Sequence, residues 1–199
     1  VDEAPLHDIL PNPRWPKPAD AVMDPTDVVR TTFENGQRTF SLTEHLIRQE
    51  PTFDVVMLYV VDLDNISHAL WAYRFPDEFP HARPAQADID ALGPVADRYV
   101  EYVDDQIARL IAGFPTAPNV VVVSDHGQEA AAGVTLSLWK GSHSAHGVFM
   151  AAGPDIQDQR APTSVSYLDI VPTILDLLRF KHPEDLSGRS ILAPVGTRA

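Results

Sequence analysis

Apolar positions along this chain follow two rhythms. Between Asp88 and Ile111 they fall at Ile89, Leu92, Val95, Ala96, Tyr99, Val103, Ile107 and Leu110, at spacings of three and four. That is the period of one long amphipathic helix, with Asp104 and Asp105 on its solvated face. Elsewhere the apolar residues run without interruption. Asp54–Val61 reads DVVMLYVV, Val120–Val123 is four valines, and Gly147–Pro154 reads GVFMAAGP. Short runs rich in β-branched residues predict strands buried on both faces, the kind that fills a parallel sheet.

The stretch SYLDIVPTILDLLRF predicts a further helix, with Asp169 as its cap and Pro172 in the first turn, where a missing N–H costs little. GRSIL, ending at Leu192, is a candidate last strand. Ahead of the Asp54 run, Ser41 and Glu44 form a capping-box pattern that predicts a short helix from Ser41. The first forty residues are dense in proline and read as extended and irregular. Strands alternating with helices predict an α/β fold, a mostly parallel sheet flanked by helices.

Composition narrows the chemistry. The 199 residues suffice for one well-packed domain. A formal charge of −13 argues against a nucleic-acid polymer as partner. No apolar run approaches the length of a membrane span. With no cysteine and 8 histidines, any metal must be held by imidazole and carboxylate.

Such groups cluster at the ends of the predicted strands. Asp64 and His68 follow the first strand in D-x-x-x-H spacing, which puts both side chains on one face if the chain turns helical there. Taken alone, the pair reads first as a helix cap and an ordinary surface or core histidine. Asp125 and His126 end the valine run. Adjacent residues on a strand point to opposite faces, so these converge only if the chain turns, which Gly127 permits. His143 and His146 stand in the loop GSHSAHG before the third strand. A set of histidines and carboxylates suits zinc, with manganese as second choice. Trp71, Tyr73 and Phe75 are read as packing residues, and His45, His81 and His182 have no partner motif.

The stretches DVVMLYVVDLDNISHALW, VVVVSDHG, GSHSAHGVFMAAGPDI and LDIVPTILDLLRF…LSGRSIL occur in an order that resembles the alkaline phosphatase superfamily. The similarity is to its type I phosphodiesterase/nucleotide pyrophosphatase branch, from about Phe53 to Leu192. This resemblance implies two divalent metal ions, most readily zinc, at the carboxyl edge of the sheet. Asp64, His68 and His143 would hold one ion, with His146 as a secondary candidate. Asp125 and His126 would hold the other, as an incomplete set. It also implies a small phosphoester substrate, attacked at phosphorus by a threonine or serine hydroxyl.

In the family, a metal-binding aspartate and the nucleophile precede all of these motifs. Residues 1 to 53 offer no apolar strand to carry them, and Thr26, Thr31 and Thr32 are not nominated. The expectation is therefore a C-terminal part of a longer enzyme, with no catalytic nucleophile in this chain. Residues 1–52 would be a proline-rich insertion or lid plus a short helix, with NPRWPKP contributing to the lid. Residues 53–199 would be the C-terminal portion of the catalytic domain. The N-terminal part of the same enzyme is the expected partner, and this polypeptide alone is expected to have negligible turnover. The competing readings are phosphonoacetate hydrolase, another enzyme of the superfamily such as a sulfatase or phosphoglycerate mutase, and a catalytically silent metal- or ligand-binding domain.

Overall fold

A computed structural model describes residues 2–19, 21, 23–50, 52–131, 141–156 and 164–192. The chain divides into two compact units, one formed by Val1–Gly113 with Gln128–Ser144, the other by Phe114–Gly127 with Ala145–Ala199.

The first unit is built on helices. They are α1 (Ala4–Ile9), α2 (Pro25–Gln49), α3 (Asp62–Arg74) and α4 (Gln86–Ala112). Helix α2 begins where the proline-rich stretch ends, because Asp24 caps it. The Asp24 carboxylate accepts from the Thr26 backbone N–H at 2.9 Å, and Pro25 occupies the first turn. From there Val28, Val29, Thr32, Phe33, Gly36, Phe40 and Ile47 form a buried stripe. The irregular start expected from sequence is thus corrected to two helices. Ser41 lies in the interior of α2 and starts nothing.

Helix α3 packs against α2 and α4, and α1 against α4. Phe33, Leu70, Leu92, Val95 and Tyr99 are fully enclosed at the centre of this unit. The proline-rich connection is tied down at its middle. Trp15 Nε1 donates to Asp88 at 2.8 Å, and Arg30 donates to the Pro13 carbonyl at 2.9 Å. Helix α4 covers the long helix expected over Asp88–Ile111, and its buried residues include Leu92, Val95, Tyr99, Val103 and Leu110.

Strands β2 (Gly127–Ala130) and β3 (Gly141–Ser144) pair with each other, and β3 packs on α3. The approach is close. A Cβ on Gly141 would lie 2.7 Å from the Ser67 carbonyl oxygen, so a glycine is needed there.

In the second unit β1 (Val120–Val123) pairs antiparallel with β4 (Phe149–Ala152), with Val120 opposite Ala152 and Val123 opposite Phe149. The Ser124 N–H extends the ladder by donating to the Val148 carbonyl at 2.9 Å. Helix α5 (Ile170–Leu177) follows a short 3₁₀ turn, with Pro172 in its first turn. Asp169 closes a capping box with Ser166 rather than capping α5 by its side chain. It also anchors the C-terminal stretch, accepting from the Arg189 N–H at 2.9 Å, while Thr173 Oγ1 accepts from the Ile191 N–H. The segment expected as a last strand is therefore held by α5 side chains and forms no ladder.

The main correction concerns the fold class. In place of an alkaline-phosphatase-like, mostly parallel sheet flanked by helices, the described residues form a mainly helical chain with two separate two-stranded sheets. The Val55–Val61 run forms no strand at all. Met57 is 85% exposed and Tyr59 82%, and the backbone from Val55 to Val60 has no hydrogen-bond partner among the described residues. Apolar β-branched sequence makes a strand possible, but a strand exists only when a neighbour supplies the other half of its ladder. For the same reason β1 is half-buried rather than enclosed on both faces.

Candidate metal centre

Helix α3 carries Asp64 in its first turn and His68 one turn later. The four-residue spacing stacks the two side chains on one face. Strand β3 crosses that helix at Gly141 and brings His143 to the same place. The contacts form a small triangle. His68 Nε2 lies 2.9 Å from His143 Nε2, and each of these nitrogens lies 3.3 Å from Asp64 Oδ1.

The tautomer of His68 follows from its other nitrogen. Nδ1 lies 2.9 Å from the Gly141 carbonyl oxygen, which can only accept, so Nδ1 carries the proton. Nε2 is then the basic nitrogen, turned toward His143 and Asp64. Two Nε2 atoms at 2.9 Å repel unless a proton or a cation lies between them. Ligand atoms held tetrahedrally at roughly 2.0–2.1 Å from zinc stand roughly 3.3 Å from one another. The observed sides of 2.9, 3.3 and 3.3 Å are close to that spacing. The side chains are 31% exposed for Asp64, 16% for His68 and 51% for His143, so the triangle is open on the His143 side.

A fourth residue, absent from the sequence-derived candidates, touches this group. Gln128 on β2 donates from Nε2 to Asp64 Oδ1 at 2.7 Å. Its position two residues beyond His126 was the available signal, since a strand that pairs with the His143 strand brings its own side chains to the same helix.

At the base of α3 lies a second unforeseen element. Asp62 is 3% exposed and accepts a 2.8 Å hydrogen bond from the Tyr99 hydroxyl. Burial pushes the Asp62 carboxyl above its usual range, while the Tyr99 bond pulls the other way. Burial and the neighbouring Asp62 push the Tyr99 hydroxyl up strongly, and Tyr102 is pushed up to about 12. These groups fix the start of the helix that carries Asp64 and His68.

In the second unit the chain bends at Asp125, directly after β1. The bend lets adjacent side chains converge, and His126 Nε2 lies 3.5 Å from Asp125 Oδ1. His126 Nδ1 lies 2.9 Å from the Gly127 carbonyl, which again leaves Nε2 as the basic nitrogen. The Tyr167 hydroxyl donates to the Asp125 carbonyl, holding the bend. The Asp125 side chain is 84% exposed and that of His126 22%. His146 is exposed in the loop before β4 and makes no hydrogen bond or ion pair among the described residues. Asp64 and His143 of the first unit and His126 of the second are candidate metal ligands.

Comparison with known proteins shows what the chain is similar to. The chain is 29% identical over 134 residues to the uncharacterized sulfatase YidJ of Escherichia coli (strain K12), covering 63% of this chain and 25% of that protein. It is 27% identical over 136 residues to the 2,3-bisphosphoglycerate-independent phosphoglycerate mutase of Clostridioides difficile (strain 630), covering 65% of this chain and 24% of that protein. The chain thus spans about a quarter of the length of these curated relatives. No solved structure matches it. The family model of the type I phosphodiesterases/nucleotide pyrophosphatases matches residues 11–141, a span that holds Asp64, His68, Asp125, His126 and Gln128. The chain therefore belongs to the type I phosphodiesterase/nucleotide pyrophosphatase family.

Proposed function

We propose that this chain supplies the metal-binding part of a metal-dependent hydrolase that cleaves phosphodiester, phosphomonoester or pyrophosphate bonds of a small substrate. The observation that carries this reading is the Asp64, His68 and His143 triangle, with its sides of 2.9, 3.3 and 3.3 Å and its tautomer set by the Gly141 carbonyl. Imidazole nitrogens with one carboxylate suit zinc, or manganese after it, and not calcium, which takes six to eight oxygens. Asp125 and His126 serve a second ion as an incomplete set.

Bound there, divalent ions supply Lewis-acid stabilisation of the charge that develops on phosphoryl oxygens. The residues of this chain hold and orient that charge. Asp64 lowers the net positive charge of its site, and His68 is kept in the ligating tautomer by the backbone. Tyr99, through Asp62, keeps the first turn of α3 in place. The threonine or serine nucleophile lies outside this chain, in an N-terminal part of the same enzyme. That part also supplies the neighbouring strand that Val55–Val61 lacks. On this reading the polypeptide alone binds metal and has negligible turnover.

The sulfatase relative suggests a second reading, sulfuryl rather than phosphoryl transfer. The histidine-rich ligand set favours the phosphoester assignment, because hard oxygen ligands would dominate a calcium site.

The test is metal content. The chain is loaded with zinc, dialysed and analysed for metal per polypeptide, beside His143→Ala. About one retained zinc per chain that is lost in the variant is expected from a single three-ligand set. No retained zinc, or retention unchanged by the substitution, would remove the metal assignment.

A further inference from the structure

We propose that Gln128 is a positioning residue that fixes how Asp64 presents its carboxylate to the metal ion. The inference rests on the reading that Asp64, His68 and His143 hold that ion. Gln128 Nε2 donates to Asp64 Oδ1 at 2.7 Å, and that same oxygen faces both imidazoles at 3.3 Å. A carboxylate oxygen has two lone pairs. Gln128 occupies one of them, which leaves the other for an ion held beside His68 and His143. The carboxylate is thereby held from rotating, so a single oxygen is offered and the two-oxygen mode that suits larger cations is disfavoured.

The orientation of the amide is dictated by charge. A flipped side chain would set its carbonyl oxygen against a carboxylate oxygen, so Nε2 faces Asp64. The other end of the amide supports this role. Gln128 Oε1 is buried and accepts no hydrogen bond among the described residues. A glutamine kept only for its own packing would satisfy that acceptor or be replaced by an apolar residue. Its bond to Asp64 is the interaction that accounts for a polar side chain at this position. The amide is also neutral. A lysine donating to Asp64 would cancel the charge that attracts a cation, whereas glutamine orients the carboxylate and leaves its charge intact.

The experiment compares zinc affinity by chelator competition for the native chain, Gln128→Met and Gln128→Asn, with circular dichroism as a folding control. Cobalt(II) absorption spectra report the coordination geometry. Methionine keeps the size without the donor, and asparagine keeps the amide but falls one methylene short of Asp64. Zinc affinity is expected to fall about 10- to 100-fold in Gln128→Met, as outer-shell partners of metal ligands typically show. The fall should be smaller in Gln128→Asn, and both cobalt spectra should change shape. A folded Gln128→Met with affinity within about two-fold of native and a superimposable cobalt spectrum would overturn the proposal. If Gln128→Met does not fold, the same unchanged readings in Gln128→Asn would overturn it. A native chain that binds no zinc would instead overturn the metal assignment on which the inference rests.

Discussion

Gly36→Ala should destabilise the first unit, against the ordinary preference of helices. In the interior of a helix alanine is favoured over glycine by about 1 kcal/mol. Here the added Cβ would lie 1.8 Å from Asp62 Oδ2 and 2.7 Å from its Cγ. Ordinary contact begins near 3.4 Å, so the carboxylate must retreat by roughly 1.5 Å. Asp62 is 3% exposed and its Oδ2 accepts the 2.8 Å bond from Tyr99, so retreat breaks that bond inside the core. Losing a hydrogen bond to a charged group costs about 1.5–3 kcal/mol, and overpacking adds about 1–3 kcal/mol. Against the helix gain, the net loss is about 1.5–5 kcal/mol. Urea unfolding followed by circular dichroism measures it. The control is the same change in an Asp62→Ala background, where the obstacle is gone and alanine should be neutral or stabilising. An unchanged or raised midpoint for Gly36→Ala in the native background would refute the reasoning. Because Asp62 opens α3, the single variant should also bind zinc more weakly.

Asp169→Asn tests the capping box of the second unit through pH. Backbone N–H groups of Ser166 and Arg189 hold the Asp169 carboxyl below its ordinary 3.8, so its contribution is present above that pH and fades as pH falls through the lower folded value. The stability gap between native and variant, read from thermal melts, should be widest near neutrality and narrow in acid, and a gap constant over that range would contradict the assignment. Met57→Lys should leave the urea midpoint of this chain within about 0.5 kcal/mol and reduce its aggregation, since Met57 is 85% exposed in an unpaired apolar run. A fall of more than about 1 kcal/mol would show that the run is covered in solution.

What the sequence disclosed depended on how local the cause was. The long helix was legible because Leu92, Val95, Tyr99 and Val103 repeat within a few residues and owe nothing to distant chain. So was the turn after β1, where a bend at Asp125 brings its side chain toward His126. Helix α2 was also written locally, in the capping Asp24 and in Pro25 at the first turn. The prolines before it and the capping-box pattern at Ser41 nevertheless point to a later start than Pro25. The parallel sheet failed for a different reason. Val55–Val61 has the composition of a buried strand, but composition states a capacity and a ladder requires a second segment.

The candidate metal centre lies between these cases. The D-x-x-x-H spacing fixes Asp64 and His68 relative to one another through helix geometry alone. The arrival of His143 depends on β3 crossing α3, and that in turn depends on Gly141 having no side chain where Ser67 offers its carbonyl. Gln128 reaches Asp64 only because β2 pairs with β3. Candidate ligand residues are therefore recognisable by type and spacing, while the residues that would aim them are not. The aiming residues are ordinary glutamine, tyrosine and glycine, given meaning by one contact each. If Asp64, His68 and His143 hold an ion as proposed, substitutions at Gln128, Tyr99 and Gly36 should also weaken its binding, although none of the three supplies a ligand atom.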